Sequence, residues 1–213
     1  MTSEARLRKD MCRWGQSMFA RGLTPGSSGN LSARLDDGTF LVTPTNSCLG
    51  FLDPARLSKI TADGRLLLGD PPTKEIPLHM AFYEARPTAR GVVHLHSTYA
   101  TILSCLADVD PDDAIPPITP YVVMRVGRVP VLRYTHPGSS ATKELVAAKA
   151  ADHAAILLAN HGPVVAGTSF EAAVFAMEEL EETAKLAVLT RGLTVRHLAP
   201  ERIAELDQLF RLK

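Results

Sequence analysis

Two histidines, His94 and His96, stand one residue apart in "GVVHLHSTYA" (residues 91–100), inside an apolar run that reads as a buried strand. Successive side chains of a strand point to opposite faces, so this spacing predicts that the two imidazoles share one face while Val93 and Leu95 share the other. Neutral imidazole is the commonest metal ligand, and taking two unpaired imidazoles out of water is costly. The pair therefore reads either as part of a metal site or as two core histidines with hydrogen-bonded tips. A third histidine, His161, follows a second apolar run in "LLANHGPVVAG", where the Asn before it and the Gly after it mark a tight turn. Three imidazoles on one ion leave coordination positions open for water or substrate, as a catalytic metal requires. His79, His136, His153 and His197 have no comparable partners and read as helix or loop residues at the surface.

The acid nearest in kind is Glu75, in "PPTKEIPLHM". It lies just before a predicted helix, in a loop where a side chain can point into a cleft and where backbone N–H groups can bind an anion. A carboxylate beside a divalent metal can ligate it or move a proton. On spacing alone the same Glu reads equally as a solvated acid near a helix N-terminus. Two further stretches, "PGSSGNLS" and "TPTNS", combine small residues, which let backbone N–H groups approach a phosphate, with Ser, Thr and Asn donors. Neither ends in the GK[ST] of a P-loop.

These residues need elements to hold them. Leu7, Met11, Trp14 and Met18 recur at helical spacing before Gly22, which predicts an amphipathic first helix. "LTPGSSGNLSARLDDGTFLVTP" reads as a loop followed by a hairpin turning at Asp-Asp-Gly. A helix is predicted from about Pro77, then the "RGVVHLHS" strand, then a helix through "YATILSCLAD". "YVVMRVGRVPVLRY" is β-rich with a Gly break, and Ser139 or Ser140 can cap a helix through "TKELVAAKAAD". Two short strands around a turn at Asn160–Gly162, a long helix from about Phe170 to Thr190 and a short one near Glu201–Phe210 complete the chain. This order predicts an α/β protein, a sheet with helices packed on it.

The chain of 213 residues is long enough to bury a sizeable core as one domain. Lys+Arg and Asp+Glu are equal at 23 each, so no global field favours nucleic acid or an anionic membrane, and any anion site must be built locally. Cys12, Cys48 and Cys105 are an odd number without CxxC spacing, which argues against a disulfide framework and suits a reducing cytoplasm. No apolar run approaches membrane-spanning length, and "MTSEARLRKDMCRWGQ" mixes acids and bases, so a soluble, non-secreted protein is expected.

Taken together, "GSSGNLS", "VTPTN", "PTKE", "VVHLHSTYA", "ITPY" and "LLANHGPVVAG" resemble the class II aldolase/adducin family over about residues 5 to 192. The resemblance implies a single domain over residues 1–213 with a three-layer α/β/α fold, a mostly antiparallel central sheet flanked by helices. It also implies a zinc enzyme, or one using another divalent metal, that forms a homotetramer with active sites between subunits and acts on a phosphorylated sugar or sugar acid. Matched by motif, His94, His96 and His161 would bind the metal, with Glu75 as the fourth ligand at rest and the acid/base when substrate displaces it. Ser27, Asn30, Thr45, Asn46, Thr73 and Lys74 fall where the family binds substrate phosphate, and Tyr121 matches a tyrosine that supplies a proton from the opposite side of the substrate.

The sequence departs from the family's sugar-phosphate aldolases at Lys74, where they carry a small hydroxyl residue, and at the C-terminus, which has no tyrosine to match theirs. "PTKE" followed by "PLHMAFYEARP" is more similar to the branch that decarboxylates 3-oxo-tetronate 4-phosphate. The implied reaction is loss of carbon dioxide through a metal-bound enediolate to give dihydroxyacetone phosphate. The alternative is an aldolase cleaving a ketose 1-phosphate such as fuculose 1-phosphate. A non-catalytic adducin-like binding module would be marked by lost metal ligands, and all three histidines are present.

Overall fold

A computed structural model describes residues 3–210 and arranges them as helices on both faces of one mixed sheet. Helix α1 (Ser3–Ala20) buries Met11, Gly15 and Met18 at helical spacing and gives way at Gly22, whose φ of 75° only glycine adopts without strain. The expected hairpin follows as β1 (Asn30–Arg34) and β2 (Phe40–Val42), paired antiparallel around Gly38. Two short strands absent from the sequence reading, β3 (Ser58–Ile60) and β4 (Leu66–Leu68), extend this edge. Then come α2 (Ile76–Ala85), β5 (Gly91–His94) and α3 (Thr98–Cys105).

The next stretch corrects an expectation. "YVVMRVGRVPVLRY" is not β throughout: α4 (Pro120–Arg125) takes its first half, and only β6 (Val131–Leu132) is strand. Pro120 fits the first helical turn, and the Val126 and Gly127 N–H groups both return to the Val122 carbonyl, with Gly127 at φ 77°. These start and stop devices outweigh the β preference of the valines. Helix α5 (Ser140–Ala150) is capped by Ser139, whose Oγ accepts from the Ala141 N–H. Strands β7 (Ala155–Leu158) and β8 (Gly162–Gly167), the long α6 (Phe170–Leu189) and α7 (Pro200–Leu209) follow as read.

Among the described residues the sheet has eight strands in the order β4-β3-β2-β1-β5-β8-β7-β6, antiparallel except for the β6–β7 pair. Its two faces carry separate cores. On one, Leu31, Val93 and Val165 pack against Met11, Ala100, Leu103 and the buried stripe of α6. On the other, Val92, Val164 and Ile156 pack against Leu78, Phe82 and Val146 of α2 and α5. The result is the three-layer α/β/α arrangement. No helix among the described residues is long and apolar enough to cross a membrane.

Candidate metal centre

The centre of the sheet is where its chemistry gathers. Register pairs Asn30 of β1 with His94 of β5, and His94 with Val164 of β8, so the His94 side chain leaves the middle of the sheet toward the α2 layer. It is fully buried, and its Nδ1–H donates to the Pro163 carbonyl at 2.8 Å. That bond fixes the tautomer and leaves Nε2 bare, the state in which imidazole ligates a metal. The ladder ends at His94, so His96 is not a strand residue; Ser97 already caps α3, and the connecting Leu95 N–H still donates to the Pro163 carbonyl at 3.3 Å. The alternation nevertheless holds in space, since the His94 and His96 ring centroids lie 5.2 Å apart.

His161 is delivered by the β7–β8 turn. Asn160 takes φ 56°, a left-handed conformation Asn tolerates, and a Cβ on Gly162 would stand 2.5 Å from the Leu95 carbonyl oxygen, so only glycine lets the turn sit against the His94–His96 segment. His161 Nε2 faces His94 Nε2 at 3.3 Å. One ligand nitrogen from each of His94, His96 and His161 lies within 4.8 Å of the other two. Glu75 completes the group, with Oε2 at 3.5 Å from His94 Nε2 and Oε1 at 3.7 Å from His161 Nε2. Although Glu75 occupies the N-cap position of α2, its carboxylate makes no capping bond and turns inward instead. Converging lone pairs beside a carboxylate, with one imidazole's far nitrogen already satisfied, form a donor set that fits a divalent cation.

Electrostatics agree with that fit. Burial pushes the Glu75 carboxyl up, but the His94 and His161 imidazoles and the Asn30 N–H outweigh it and leave the group below the ordinary carboxylate range. Burial also holds the protonation of His94 down to about 3 and lowers that of His96, so both are neutral, metal-competent imidazoles near pH 7.

Of the residues expected on phosphate, Thr73 is buried beside the centre, its Oγ1 accepting from the Glu75 N–H at 3.2 Å. The Thr45 N–H donates to the Pro71 carbonyl, which brings the 44–47 and 71–74 loops together, and Thr45 and Asn46 line a cleft with Arg56 and Asp70. Lys74 and Ser27 are exposed. Asn30 is buried and spends both ends of its amide inside the protein, on Glu75 and on His79. Tyr121 is not brought to the centre: it lies on α4, 52% exposed, with the Arg125 guanidinium over its ring.

His79 is the main correction among the histidines. Expected at the surface, it is fully buried between Asn30 and Ser32. Burial depresses its pKa to about 4. In unfolded chain a histidine titrates near 6.5, so between about pH 4 and 6.5 the unfolded state binds the extra proton and stability falls as pH falls through that window. Denaturant midpoints of metal-free protein are expected to track this, His79 accounting for about 3 kcal/mol across the window. His79→Leu should remove about one of the protons taken up on unfolding near pH 5; an unchanged slope would contradict the assignment. Sequence reasoning also missed Glu181 of α6, whose buried carboxylate accepts from the Tyr99 and Ala100 N–H groups at 2.9 Å each and pins the start of α3 just after His96.

Comparison with known proteins agrees with the fold. Residues 9–188, from within α1 to the last turn of α6, match the class II aldolase and adducin N-terminal domain family, and the chain belongs to that family. Within it, the chain is 52% identical over 207 residues to a 3-oxo-tetronate 4-phosphate decarboxylase of Pectobacterium atrosepticum, covering 97% of this chain and 95% of that one. It is 32% identical to the L-fuculose phosphate aldolase of Escherichia coli K12, over 91% of this chain and 89% of that one. The crystal structure of YgbL from Escherichia coli, a candidate aldolase/epimerase/decarboxylase, superposes with a TM-score of 0.94 at 51% identity, covering 96% of this chain and 99% of that one.

Proposed function

We propose that the chain is a metal-dependent carbon–carbon lyase that converts 3-oxo-tetronate 4-phosphate to dihydroxyacetone phosphate and carbon dioxide. The observation that carries the reading is the convergence of the His94, His96 and His161 ligand nitrogens within 4.8 Å, with the Glu75 carboxylate beside them. The 52% identity to a protein named for that activity supports this substrate. In this reading His94, His96 and His161 hold zinc or another divalent ion, Glu75 being a further donor at rest. When bound, the ion supplies Lewis-acid polarisation of the substrate's keto oxygen.

The rest falls to the chain. Thr45, Asn46, Thr73 and Lys74, with Ser27 on the facing loop, take the phosphate and set the distance from it to the keto group. The C1–C2 bond breaks, its electron pair stays on the C2–C3 unit as carbon dioxide leaves, and one proton must reach C2. Glu75, ionised at rest, takes up a proton from the incoming hydroxyl or water and gives it to C2; the net proton consumed comes from solvent, which restores the hydroxyl where that was the source. Tyr121 is the second proton carrier; its exposure suits a homotetramer whose sites lie between subunits. The 213 residues work as one cytoplasmic domain without nucleic-acid or membrane partners.

A second reading, an aldolase cleaving a ketose 1-phosphate such as fuculose 1-phosphate, is favoured by the 32% identity to such an enzyme. Zinc-loaded protein is expected to release carbon dioxide and dihydroxyacetone phosphate from 3-oxo-tetronate 4-phosphate and to leave fuculose 1-phosphate intact. If no carbon dioxide appears while dihydroxyacetone phosphate and an aldehyde condense readily, the aldolase reading replaces the first. A non-catalytic adducin-like module is disfavoured by the intact donor set, and a protein that takes up no divalent metal at all would bring it back.

A further inference from the structure

Behind Glu75 runs a buried line of polar side chains that the proposed reaction does not itself use. The Asn30 Nδ2–H donates to Glu75 Oε2 at 2.7 Å, and Asn30 Oδ1 meets His79 Nε2 at 2.5 Å. His79 Nδ1 meets Ser32 Oγ at 2.7 Å, and Ser32 Oγ meets the Tyr83 hydroxyl at 2.9 Å. Asn30 is 6% exposed, Tyr83 2%, and Ser32 and His79 not at all.

The carboxylate dictates the direction of every bond in this line. An ionised carboxylate only accepts, so the Asn30 amide must present its NH₂ to Glu75 and its oxygen to His79. His79 therefore carries its proton on Nε2, and its bare Nδ1 accepts from the Ser32 hydroxyl. Ser32 Oγ, its own proton spent, accepts from the Tyr83 O–H. Reverse any one bond and a buried donor faces a donor, or an acceptor an acceptor.

Backbone geometry makes the line possible. Asn30 and Ser32 are two apart on β1 and share a face, a spacing of about 6.7 Å. Glu75, His79 and Tyr83 are four apart at and along α2, a spacing of about 6 Å on one side of the helix. The two ladders match closely enough to interleave, strand residue between helix residues. Packing alone gives no reason for this, because buried polar groups cost stability that apolar side chains of similar volume would not.

We infer that Asn30, His79, Ser32 and Tyr83 form a fixed hydrogen-bond relay that holds the Glu75 carboxylate in one orientation, with His79 as a positioning residue. The inference rests on the role proposed for Glu75, and it moves Asn30 from phosphate contact to positioning, since a phosphate on its amide would have to displace Glu75 or His79. It also gives the "NLS" of β1 and the His and Tyr of "EIPLHMAFY" one shared purpose.

Two measurements test it. In metal-free ¹⁵N-labelled protein, the Asn30 side-chain amide, assigned by its loss in Asn30→Ala, is expected to show one strongly deshielded, slowly exchanging proton. His79→Leu should move that signal toward the free-amide position. In zinc-loaded protein, His79→Leu is expected to lower kcat about 10- to 100-fold with KM little changed, with a lower melting temperature because Asn30 Oδ1 and the Ser32 hydroxyl lose their partner. His79→Gln, which keeps one donor and one acceptor, should recover most of both signals. If His79→Leu does not fold, Tyr83→Phe carries the test, with the same displacement in smaller measure. An Asn30 amide signal unmoved in both variants, with native kcat, would reduce the line to core packing and overturn the inference. Wild-type protein inert on both substrates would overturn the functional reading separately, the amide signal still deciding whether the relay holds Glu75.

Discussion

Glu75→Gln is expected to lower kcat by about a hundredfold to ten-thousandfold, the usual worth of a placed proton carrier, while the protein folds and keeps much of its metal. The substitution preserves volume, and Gln can still accept the Asn30 N–H through its Oε1, so the line behind it survives. What is lost is the ability to carry a proton to C2. Bond breaking and protonation therefore separate: carbon dioxide release should slow less than correct protonation, visible in heavy water as deuterium delivered to both faces of the new hydroxymethyl carbon of dihydroxyacetone phosphate instead of to one. Near-native turnover with full metal content would show that this carboxylate is neither proton carrier nor needed donor, and the proton would then have to come through Tyr121 or solvent.

His96→Ala is expected to reduce bound zinc from about one per chain to a small fraction, and activity with it, because affinity at such a centre rests on ligand number and geometry. His96 is the most informative of the three, being less buried than His94 and outside the sheet ladder, so truncation leaves the core intact. His153→Ala is the matched control: its ring meets the Arg128 carbonyl and belongs to no donor cluster among the described residues. Elemental analysis of the two proteins, purified alike without chelator, decides the matter, and equal metal content would refute the placement of His96.

The histidine centre was legible because each ligand stands at a position with a strong local signal. His94 sits inside an apolar strand, and His161 follows Asn160 in a turn whose φ of 56° Asn accepts. His79 was not legible as a single residue. Residues 78–83 of α2 are all buried, so the helix has no polar side on which a histidine would stand out. The signal lay in the spacing of four from Glu75 through His79 to Tyr83, matched to the spacing of two in Asn30 and Ser32, and it acquires meaning only when β1 is known to lie beneath α2. Pro120–Arg125 failed differently: Val122, Val123 and Val126 suggested a strand, while Pro120 and Gly127 bracketed a helix. The edge strands β3 and β4 are three residues each, too short for alternation to register. Tyr121 and Lys74 match motifs, but both are exposed, and motif matching carries no information on what, if anything, covers them.

The donors at the centre of the sheet come from far apart in the chain, at positions 75, 94 and 161, and the start of α2, the end of β5 and the β7–β8 turn that carry them are neighbours only in the folded state. An ion seated there acts as a reversible cross-link, present in the native chain and absent from the unfolded one. By mass action, free metal at about a thousand times its dissociation constant adds about 4 kcal/mol to the folding equilibrium. With an ion seated there, the lifetime of the protein against proteolysis would be coupled to the supply of that metal: scarcity would lower the amount of enzyme as well as the activity of each molecule.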